Sequence, residues 1–272
     1  MNQILSKEYL SEKVVKLEIH APWIAKNRRA GHFVIVKIGK TGERIPLTIS
    51  SSDLEKGTIT LIIQKVGVTS SKVANLEIGD KVTDLLGPLG MPANIEYFGT
   101  VLCSGGGVGV APLFPVIKEL KNKGNRVLTV LAARSKDLII LEKEIRSLSD
   151  EVIIMTDDGS YGQKGLVTKG LEYFINHENI DLSITIGPAV MMKFVSLLTK
   201  KHEIPTIASL NSIMVDGTGM CGACRVTVGG QTKFVCVDGP EFNAHEIEWD
   251  ELLMRLNCYK EEENIANSIT LE

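Results

Sequence analysis

The sequence predicts a β + α/β fold in three parts: an antiparallel β-barrel, a domain built on a five-stranded parallel sheet, and a small cysteine-rich module. Three observations carry this prediction. Short β-rich runs with frequent turns fill residues 1–97, strand and helix patterns alternate over residues 98–210, and residues 211–245 are rich in glycine and cysteine. A C-terminal helix and tail are expected over residues 246–272. The length of 272 residues suits two compact domains or one domain with appendages.

The barrel prediction rests on three β-rich runs, which are Val14–Ile19, His32–Lys37 and Thr58–Ile63. Turn pairs such as Lys56-Gly57 and Gly79-Asp80 separate these runs from their neighbours. Several short strands at this spacing are typical of a small antiparallel barrel.

Beyond residue 98 the pattern becomes an alternation of strands and helices. The predicted strands are Thr100–Cys103, Arg126–Ala132, Val152–Met155, Leu182–Ile186 and Pro205–Leu210. The predicted helices are Leu113–Lys121, Leu141–Leu148, Leu166–Ile175 and Ala189–Lys200. This alternation predicts a parallel sheet covered by helices on both faces.

The composition excludes several classes of protein. The chain is 44% hydrophobic with a net charge of −3 and has no stripe of lysine and arginine, so we expect no nucleic-acid partner. The first residues do not resemble a signal peptide, and no apolar run approaches the length of a membrane helix. We therefore expect a cytoplasmic protein with no membrane partner.

The most specific motif is Asp216-x4-Cys221-x2-Cys224-x11-Cys236. Plant-type [2Fe–2S] proteins use Cys-x4-Cys-x2-Cys and a distant fourth cysteine. Asp216 stands at the first position here, and a carboxylate oxygen can also bind iron. Glycines at positions 217, 219 and 222 would let the backbone curl around a cluster. The alternative is a zinc site, with Cys258 or His245 as an additional ligand.

A second motif lies between a predicted strand and a predicted helix, at Cys103–Pro112. Its glycines would let a dinucleotide pyrophosphate approach the backbone at the N-terminus of the helix, and Pro112 suits the first helical turn. The candidate binding residues are Gly105, Gly106, Gly107, Val108, Gly109, Ala111 and Pro112. A tight turn with no ligand is the simpler alternative.

Two segments of the barrel form a third candidate site. The first offers a hydroxyl beside apolar residues that could lie against a flat ring, and the second is a glycine-led turn suited to phosphate oxygens. The candidates in the first are Arg44, Pro46, Leu47, Thr48 and Ile49, and those in the second are Gln64, Val66, Gly67, Thr69 and Ser70. Both segments could equally be ordinary strand ends.

Two further turns follow predicted parallel strands, where ligands of open α/β sheets bind. Their candidate residues are Thr156, Asp157, Asp158 and Gly159 in one turn and Gly187 and Pro188 in the other. Arg134, after the second parallel strand, could meet a 2′-phosphate or could be a solvated charge. Polar turns or helix caps are the alternative for these segments. We find no acid–base pair or nucleophile motif.

These motifs, in this order, resemble the ferredoxin–NADP reductase superfamily over nearly the whole chain. Two of its members are similar to this chain: the electron-transfer subunit of dihydroorotate dehydrogenase, and the small subunit of NADH-dependent ferredoxin:NADP oxidoreductase, also described as sulfide dehydrogenase. The first resembles a four-cysteine family. The second resembles this chain in having Asp216 with three cysteines, so it is the better match.

The resemblance implies FAD on the barrel, NAD in the α/β domain and a [2Fe–2S] cluster in the module. Leu47 and Thr48 fall at the family's aromatic and hydroxyl positions, which makes Thr48 the candidate catalytic residue, with its hydroxyl near flavin N5. Arg44 is one residue early for the family's pyrophosphate contact. The resemblance also implies a heterodimer with a larger subunit that carries a second FAD and [4Fe–4S] clusters, and a bifurcating reaction.

The expected function is electron transfer between NAD(H) and a partner subunit. NADH delivers two electrons as hydride and a cluster accepts one at a time, so a flavin must lie between them. One alternative is a subunit that serves dihydroorotate oxidation. Another, from a different class, is a zinc-stabilised nucleotide-binding regulator.

Overall fold

The computed structural model describes residues 2–40 and 42–270, and its first part is a six-stranded antiparallel barrel. Its strands are β1 (Ile4–Ser11), β2 (Val14–His20), β3 (Phe33–Lys37), β4 (Arg44–Asp53), β5 (Thr58–Gln64) and β6 (Asp84–Leu89), in the order β1-β2-β5-β4-β3-β6. A bridge between Gln3 and Lys81 joins β1 to the segment before β6 and closes the barrel. Two short helices, α1 (Pro22–Asn27) and α2 (Val68–Ala74), cover its ends.

The interior of the barrel follows from the alternation of side chains along its strands. Residues 34 and 36 of β3 and residue 49 of β4 point inward into a core of isoleucine, leucine and valine, with residues 45 and 47 packed against its edge. The intervening residues 33 and 35 point outward and belong to a different core. The outer face of β3 and β4 is therefore available to pack against later parts of the chain.

The second part is a mostly parallel sheet with helices on both faces. Its parallel strands are β7 (Thr100–Gly106), β8 (Arg126–Ala133), β9 (Glu151–Thr156), β10 (Gln163–Lys164), β11 (Leu182–Ile186) and β12 (Thr206–Ser209). The helices are α3 (Val110–Asn122), α4 (Glu142–Leu148), α5 (Val167–His177) and α6 (Ala189–Lys201). The five predicted strands are confirmed. Two short strands extend the sheet to seven: β10 at one edge and an antiparallel strand from the C-terminal part at the other.

The last part of the chain contains β13 (Arg225–Val228), β14 (Gln231–Phe234), α7 (Val235–Asp238), β15 (Glu241–Asn243), α8 (Trp249–Leu256) and α9 (Lys260–Thr270). β13 and β14 form a hairpin, and β15 pairs with β12 to complete the large sheet. Its core is shared with its neighbours, because Phe33 and Ile35 of the barrel and Met192 of α6 pack with its own apolar residues. Among the described helices, none is long and apolar enough to cross a membrane.

Candidate functional site

The backbone of the loop that follows Asp216 holds its carboxylate. The carboxylate accepts hydrogen bonds from the N–H groups of Thr218 (3.1 Å), Met220 (2.9 Å) and Cys221 (3.0 Å). Desolvation raises the pKa of Asp216, but these hydrogen bonds outweigh it and lower the pKa to about 2. Sγ of Cys221 lies 3.3 Å from Oδ1 of Asp216, so these two side chains form one close pair.

Cys224 and Cys236 form a second close pair. Their Sγ atoms are 3.2 Å apart and both side chains are buried, yet the two cysteines are free thiols. Burial and the neighbouring Cys224 raise the pKa of Cys236 to about 12. Two buried thiols facing each other can ionise only beside a positive charge, and a bound metal provides one.

The arrangement of the four side chains in two pairs favours a [2Fe–2S] cluster over a zinc ion at this site. A zinc ion needs four ligands around one point, but no three histidine, cysteine, aspartate or glutamate side chains in the described part of the chain converge in this way. The proposed extra zinc ligands are engaged elsewhere: His245 contacts Thr199 at 3.0 Å, and Cys258 contacts the carbonyl oxygen of Met254. Two pairs of ligands fit a cluster with two irons, each of which takes two protein ligands.

The loop between the pairs curls as predicted. Gly217, Gly219 and Gly222 all have positive φ, at +75°, +85° and +67°. A Cβ atom on Gly217 would lie 2.6 Å from Cγ1 of Ile35, so only glycine lets this loop lie so close to the barrel. The loop therefore packs directly on β3.

The outer face of β4 carries the other half of this contact. Arg44, Pro46 and Thr48 alternate along this face, and Pro46 and Thr48 lie directly opposite Ile35 and Phe33 of β3. Arg44 Nε donates a hydrogen bond to the carbonyl oxygen of Val215 at 3.0 Å, next to Asp216. The strand that carries the predicted flavin residues is thus tied to the loop that carries the predicted cluster ligands.

The side chains of three predicted cofactor contacts are buried, so a contact from these residues would have to come from the backbone and stays a prediction. Ile49 is fully buried in the barrel core, so its side chain cannot touch a ligand. Ala111 packs in the core beneath the parallel sheet, and its carbonyl oxygen accepts a hydrogen bond from Ser50 Oγ at 3.1 Å. Thr156 is fully buried, and its hydroxyl donates to the carbonyl oxygen of Tyr161 at 2.6 Å.

The predicted phosphate turn lies at the start of α2. Ser70 Oγ accepts hydrogen bonds from the N–H groups of Val66 (3.0 Å) and Gly67 (2.9 Å), and the Thr69 hydroxyl donates to the carboxylate of Glu43. The Ser70 hydroxyl therefore serves the turn itself, and the Thr69 hydroxyl connects the turn to the segment before β4. A phosphate contact here would fall mainly to the backbone and remains a prediction, as does a contact from Gln64 at the end of β5.

The glycine-rich loop joins β7 to α3 through a single 3-10 turn, Gly107–Gly109, and Pro112 lies in the first turn of the helix as predicted. A Cβ atom on Gly109 would lie 2.6 Å from the carbonyl oxygen of Ile186, and one on Gly106 would clash with Met191. Gly107 has φ +54° and no atom within 4 Å of the Cβ position. Of these three glycines, only Gly107 leaves open space for a ligand.

The other predicted turns line the same carboxyl edge of the sheet. Gly187 and Pro188 follow β11, and Gly187 packs on Gly106. The loops after β8 and β9 are joined by a hydrogen bond from the Asp158 N–H to the Arg134 carbonyl oxygen. Arg134 and Asp157 are exposed, and Val108 is half-buried in the glycine-rich loop. The Asp158 carboxylate accepts hydrogen bonds from the N–H and the hydroxyl of Ser160, and Gly159 has φ +78°.

Sequence reasoning missed three features of the site. It did not predict the contact of Arg44 with the cluster loop, the carboxylate of Glu43 beside Thr69, or the buried Glu241 on β15. Arg44 was predicted as a cofactor contact, but no pattern distinguished the direction of its side chain. Glu241 belongs to a strand of three residues, which is too short to give a periodic signal.

Comparison with known proteins supports the same assignment. Residues 211–248 match the family described as the iron–sulfur cluster binding domain of dihydroorotate dehydrogenase B. The chain is 47% identical, over 98% of its length and 94% of the relative, to a protein of Thermotoga maritima named dihydroorotate dehydrogenase B (NAD(+)), electron transfer subunit homolog. It belongs to that family of electron transfer subunits.

Three further proteins match this chain to different degrees. The subunit of Desulforamulus reducens is 31% identical over 91% of this chain and 97% of its own length. A solved structure of NADH-dependent reduced ferredoxin–NADP oxidoreductase, studied for flavin-based electron bifurcation, is 45% identical and covers 100% of this chain and 98% of that one, with a TM-score of 0.94. A cytochrome P450 reductase of Amycolatopsis, 18% identical with a TM-score of 0.63, shares the fold.

Proposed function

We propose that the chain passes electrons between NAD(H) and a larger partner subunit, through FAD on the barrel and a [2Fe–2S] cluster held by Asp216, Cys221, Cys224 and Cys236. The observation that carries this proposal is the arrangement of those four side chains in two close pairs. Asp216 with Cys221, and Cys224 with Cys236, would hold the cluster, which would accept and pass on one electron at a time when bound.

The rest of the chain fits the two nucleotide cofactors. Thr48 and Pro46 lie half-buried on the outer face of β4, where an apolar surface and one hydroxyl meet. Gly107 opens the carboxyl edge of the parallel sheet at the start of α3, the usual place for a dinucleotide phosphate. The packing of the cluster loop on β3 supports a short electron path between the flavin and the cluster.

When bound, the flavin accepts a hydride and releases electrons singly, which connects the chemistry of NADH to that of the cluster. The residues of the protein would bind the two cofactors, orient them and adjust their electronic properties. Thr48 would direct its hydroxyl to flavin N5, Arg44 would hold the cluster loop against β4, and the ionised Asp216 would give one iron a harder ligand than sulfur.

The partner we propose is a larger flavo-iron–sulfur subunit with FAD and [4Fe–4S] clusters, in a bifurcating heterodimer in the cytoplasm. The 45% identity to the ferredoxin–NADP oxidoreductase structure over the whole chain supports this choice. Two other relatives, the 47% identical Thermotoga maritima protein and the 31% identical Desulforamulus reducens subunit, carry dihydroorotate dehydrogenase B names. These names keep an alternative open, namely electron transfer from dihydroorotate oxidation. Copurification with a large flavoprotein or with a dihydroorotate-oxidising subunit would decide between them.

The proposal is tested by the composition of the protein purified without oxygen. We expect a brown protein with two irons and two sulfides per chain and bound FAD, whose visible spectrum bleaches on addition of NADH. NADPH at equal concentration should bleach it more slowly. A colourless protein that contains stoichiometric zinc would contradict the proposal and support a zinc-stabilised regulator.

The glycine-rich loop gives a second test. Gly109 has φ −61°, so Gly109→Ala adds no backbone strain, but its Cβ would push against the Ile186 carbonyl group. We expect a loss of about 1–3 kcal/mol in the free energy of unfolding, together with at least tenfold weaker binding of NADH to the holoprotein. Thermal unfolding and equilibrium titration measure the two effects.

The matched control for this loop is Gly124→Ala. Gly124 follows α3 at the opposite, amino edge of the sheet, with φ +84° and open space around the Cβ position. The Gly124→Ala variant should lose about 1–2 kcal/mol in the free energy of unfolding through backbone strain. Its affinity for NADH should equal that of the wild type. Equal NADH affinity in the Gly109 variant and the wild type would contradict the proposed role of the loop.

A further inference from the structure

Glu241 lies at the carboxyl edge of the parallel sheet, in one row with the glycine-rich loop. The register places Gly105, Ile186, Ser209 and Glu241 side by side on four neighbouring strands. Residues aligned across a sheet point to the same face. Gly105 and Ile186 face helix α3, so the carboxyl group of Glu241 points to that face as well.

The barrel packs against helix α3, on the same face of the sheet, and the segment next to Glu241 also touches the barrel. The Met91 N–H donates to the carbonyl oxygen of Gly239 at 2.6 Å. A Cβ atom on Gly90 would lie 3.2 Å from Cδ of Pro240 and 2.9 Å from Cε1 of Phe33. Because Phe33 is paired with Thr48, these contacts connect Pro240, the residue before Glu241, to the strand that carries the predicted flavin residue.

The carboxyl group itself has an unusual environment. Oε1 of Glu241 is buried and has no hydrogen-bond partner among the described residues. Desolvation raises the pKa of Glu241 to about 7. Of the buried side-chain atoms without a hydrogen-bond partner in the described chain, this is the one that belongs to a carboxyl group, and a proton is a partner that such a group can take.

No charged neighbour accounts for the raised pKa, since desolvation is its only cause. The titratable side chains of α6, α7 and β3 that lie towards this region, and His245 after β15, are engaged elsewhere. Lys193 pairs with Asp250, His245 contacts Thr199, Asp238 accepts from the Phe234 N–H, and Lys37 faces Asp84. Glu241 is therefore free to respond to a charge that arrives with a cofactor.

We infer that Glu241 is a redox-linked proton site, which takes up a proton when the bound flavin is reduced and releases it when the flavin is reoxidised. This inference rests on the proposed function, because it needs a flavin beside the sheet. NADH, oxidised to NAD+, supplies hydride, and the reduced ring carries more negative charge than the oxidised ring. That charge raises the affinity of Glu241 for a proton, in the same way as any nearby anion.

The step balances without a further reactant. Glu241 takes its proton from water as an O–H bond forms, and its own oxidation state does not change. The two electrons leave one at a time through the cluster to the partner subunit, after which the O–H bond breaks and the proton returns to water. By linkage, the proton and the electrons stabilise each other on the protein by equal amounts.

The sign of the effect sets the range of pH for the test. Below the pKa of about 7, Glu241 is protonated in both redox states and contributes nothing. Between this pKa and the higher pKa that Glu241 has beside the reduced flavin, Glu241 is ionised in the oxidised state and protonated in the reduced state. Near pH 8, holoprotein reduced by dithionite should therefore take up more protons, by up to one per flavin, in the wild type than in Glu241→Gln.

Infrared difference spectroscopy of the same reduction supplies an independent readout. Wild-type holoprotein should show a new carboxylic C=O band that shifts when glutamate is isotopically labelled, and Glu241→Gln should lack it. Labelled wild-type protein keeps the test valid even if the variant does not fold. Glu248→Gln, an exposed carboxylate seven residues away, is the matched control and should behave as the wild type does.

A flavin-loaded wild-type protein without the labelled band, or equal proton uptake by the wild type and Glu241→Gln, would overturn the inference while leaving the proposed function intact. Absence of flavin and iron from the purified protein would instead overturn the proposed function. The two failures are therefore distinguishable.

Discussion

The Cys224→Ser variant is expected to lose the iron–sulfur cluster and keep the flavin. Cys224 Sγ is buried 3.2 Å from Cys236 Sγ, and a serine hydroxyl there would remain protonated and bind iron poorly. Iron and sulfide content should fall at least tenfold, whereas the FAD content stays within twofold of the wild type. Reduction of FAD by NADH should persist, and transfer to a one-electron acceptor should fall with the cluster content.

Cys258→Ser is the control for this experiment. Cys258 is exposed at the end of α8, and its thiol contacts only the carbonyl oxygen of Met254 among the hydrogen-bond partners found in the described chain. Its iron content should match that of the wild type. Full cluster occupancy in Cys224→Ser, or an equal loss in Cys258→Ser, would contradict the assigned ligands.

The second large effect is expected at Asp216. Asp216→Cys should retain the cluster and shift its reduction potential to a lower value, because a thiolate donates more charge to ferric iron than a carboxylate does. Redox titration followed by electron paramagnetic resonance measures the potential and the symmetry of the site. An unchanged potential would show that the carboxylate does not bind iron.

Asp216→Asn is the companion variant. The carboxylate of Asp216 accepts three backbone hydrogen bonds, and the side-chain oxygen of asparagine can keep part of that network while losing the negative charge. Cluster content should fall in Asp216→Asn but not in Asp216→Cys. This contrast separates iron binding from loop stabilisation.

The sequence predicted the fold wherever patterns were long or local. The alternation from Thr100 to Ser209 gave all five main parallel strands, since each strand and helix contains several residues of clear periodicity. The cluster loop was predicted because its ligands lie within 21 residues and its glycines have a single conformational role.

The missed elements were short or lacked a pattern. Strand β6 contains Gly87 and Pro88, two residue types that are unusual within strands. Both are tolerated here because β6 is the last strand in the order of the barrel sheet. Strands β10 and β15 have two and three residues, and their pairing depends on neighbours far away in the chain. Composition hid β6, and shortness hid β10 and β15.

The site was predicted less well than the fold, because a motif does not say which way a side chain points. Ile49 belongs to a predicted flavin segment but faces the barrel interior, whereas Arg44 on the outer face binds the cluster loop. Glu241 carried no signal, since its place in the sheet depends on the pairing of β15 with Ser209 of β12, and a strand of three residues gives no pattern.

The pairing of β15 with β12 has a consequence for the handling of the protein. β15 begins five residues after Cys236, and it covers the last parallel strand of the large sheet, whose backbone groups would otherwise be free to pair with another molecule. Loss of iron would free Cys236, the proposed ligand that holds the chain just before β15. Oxidative damage should therefore produce self-association, with turbidity appearing after the brown colour fades.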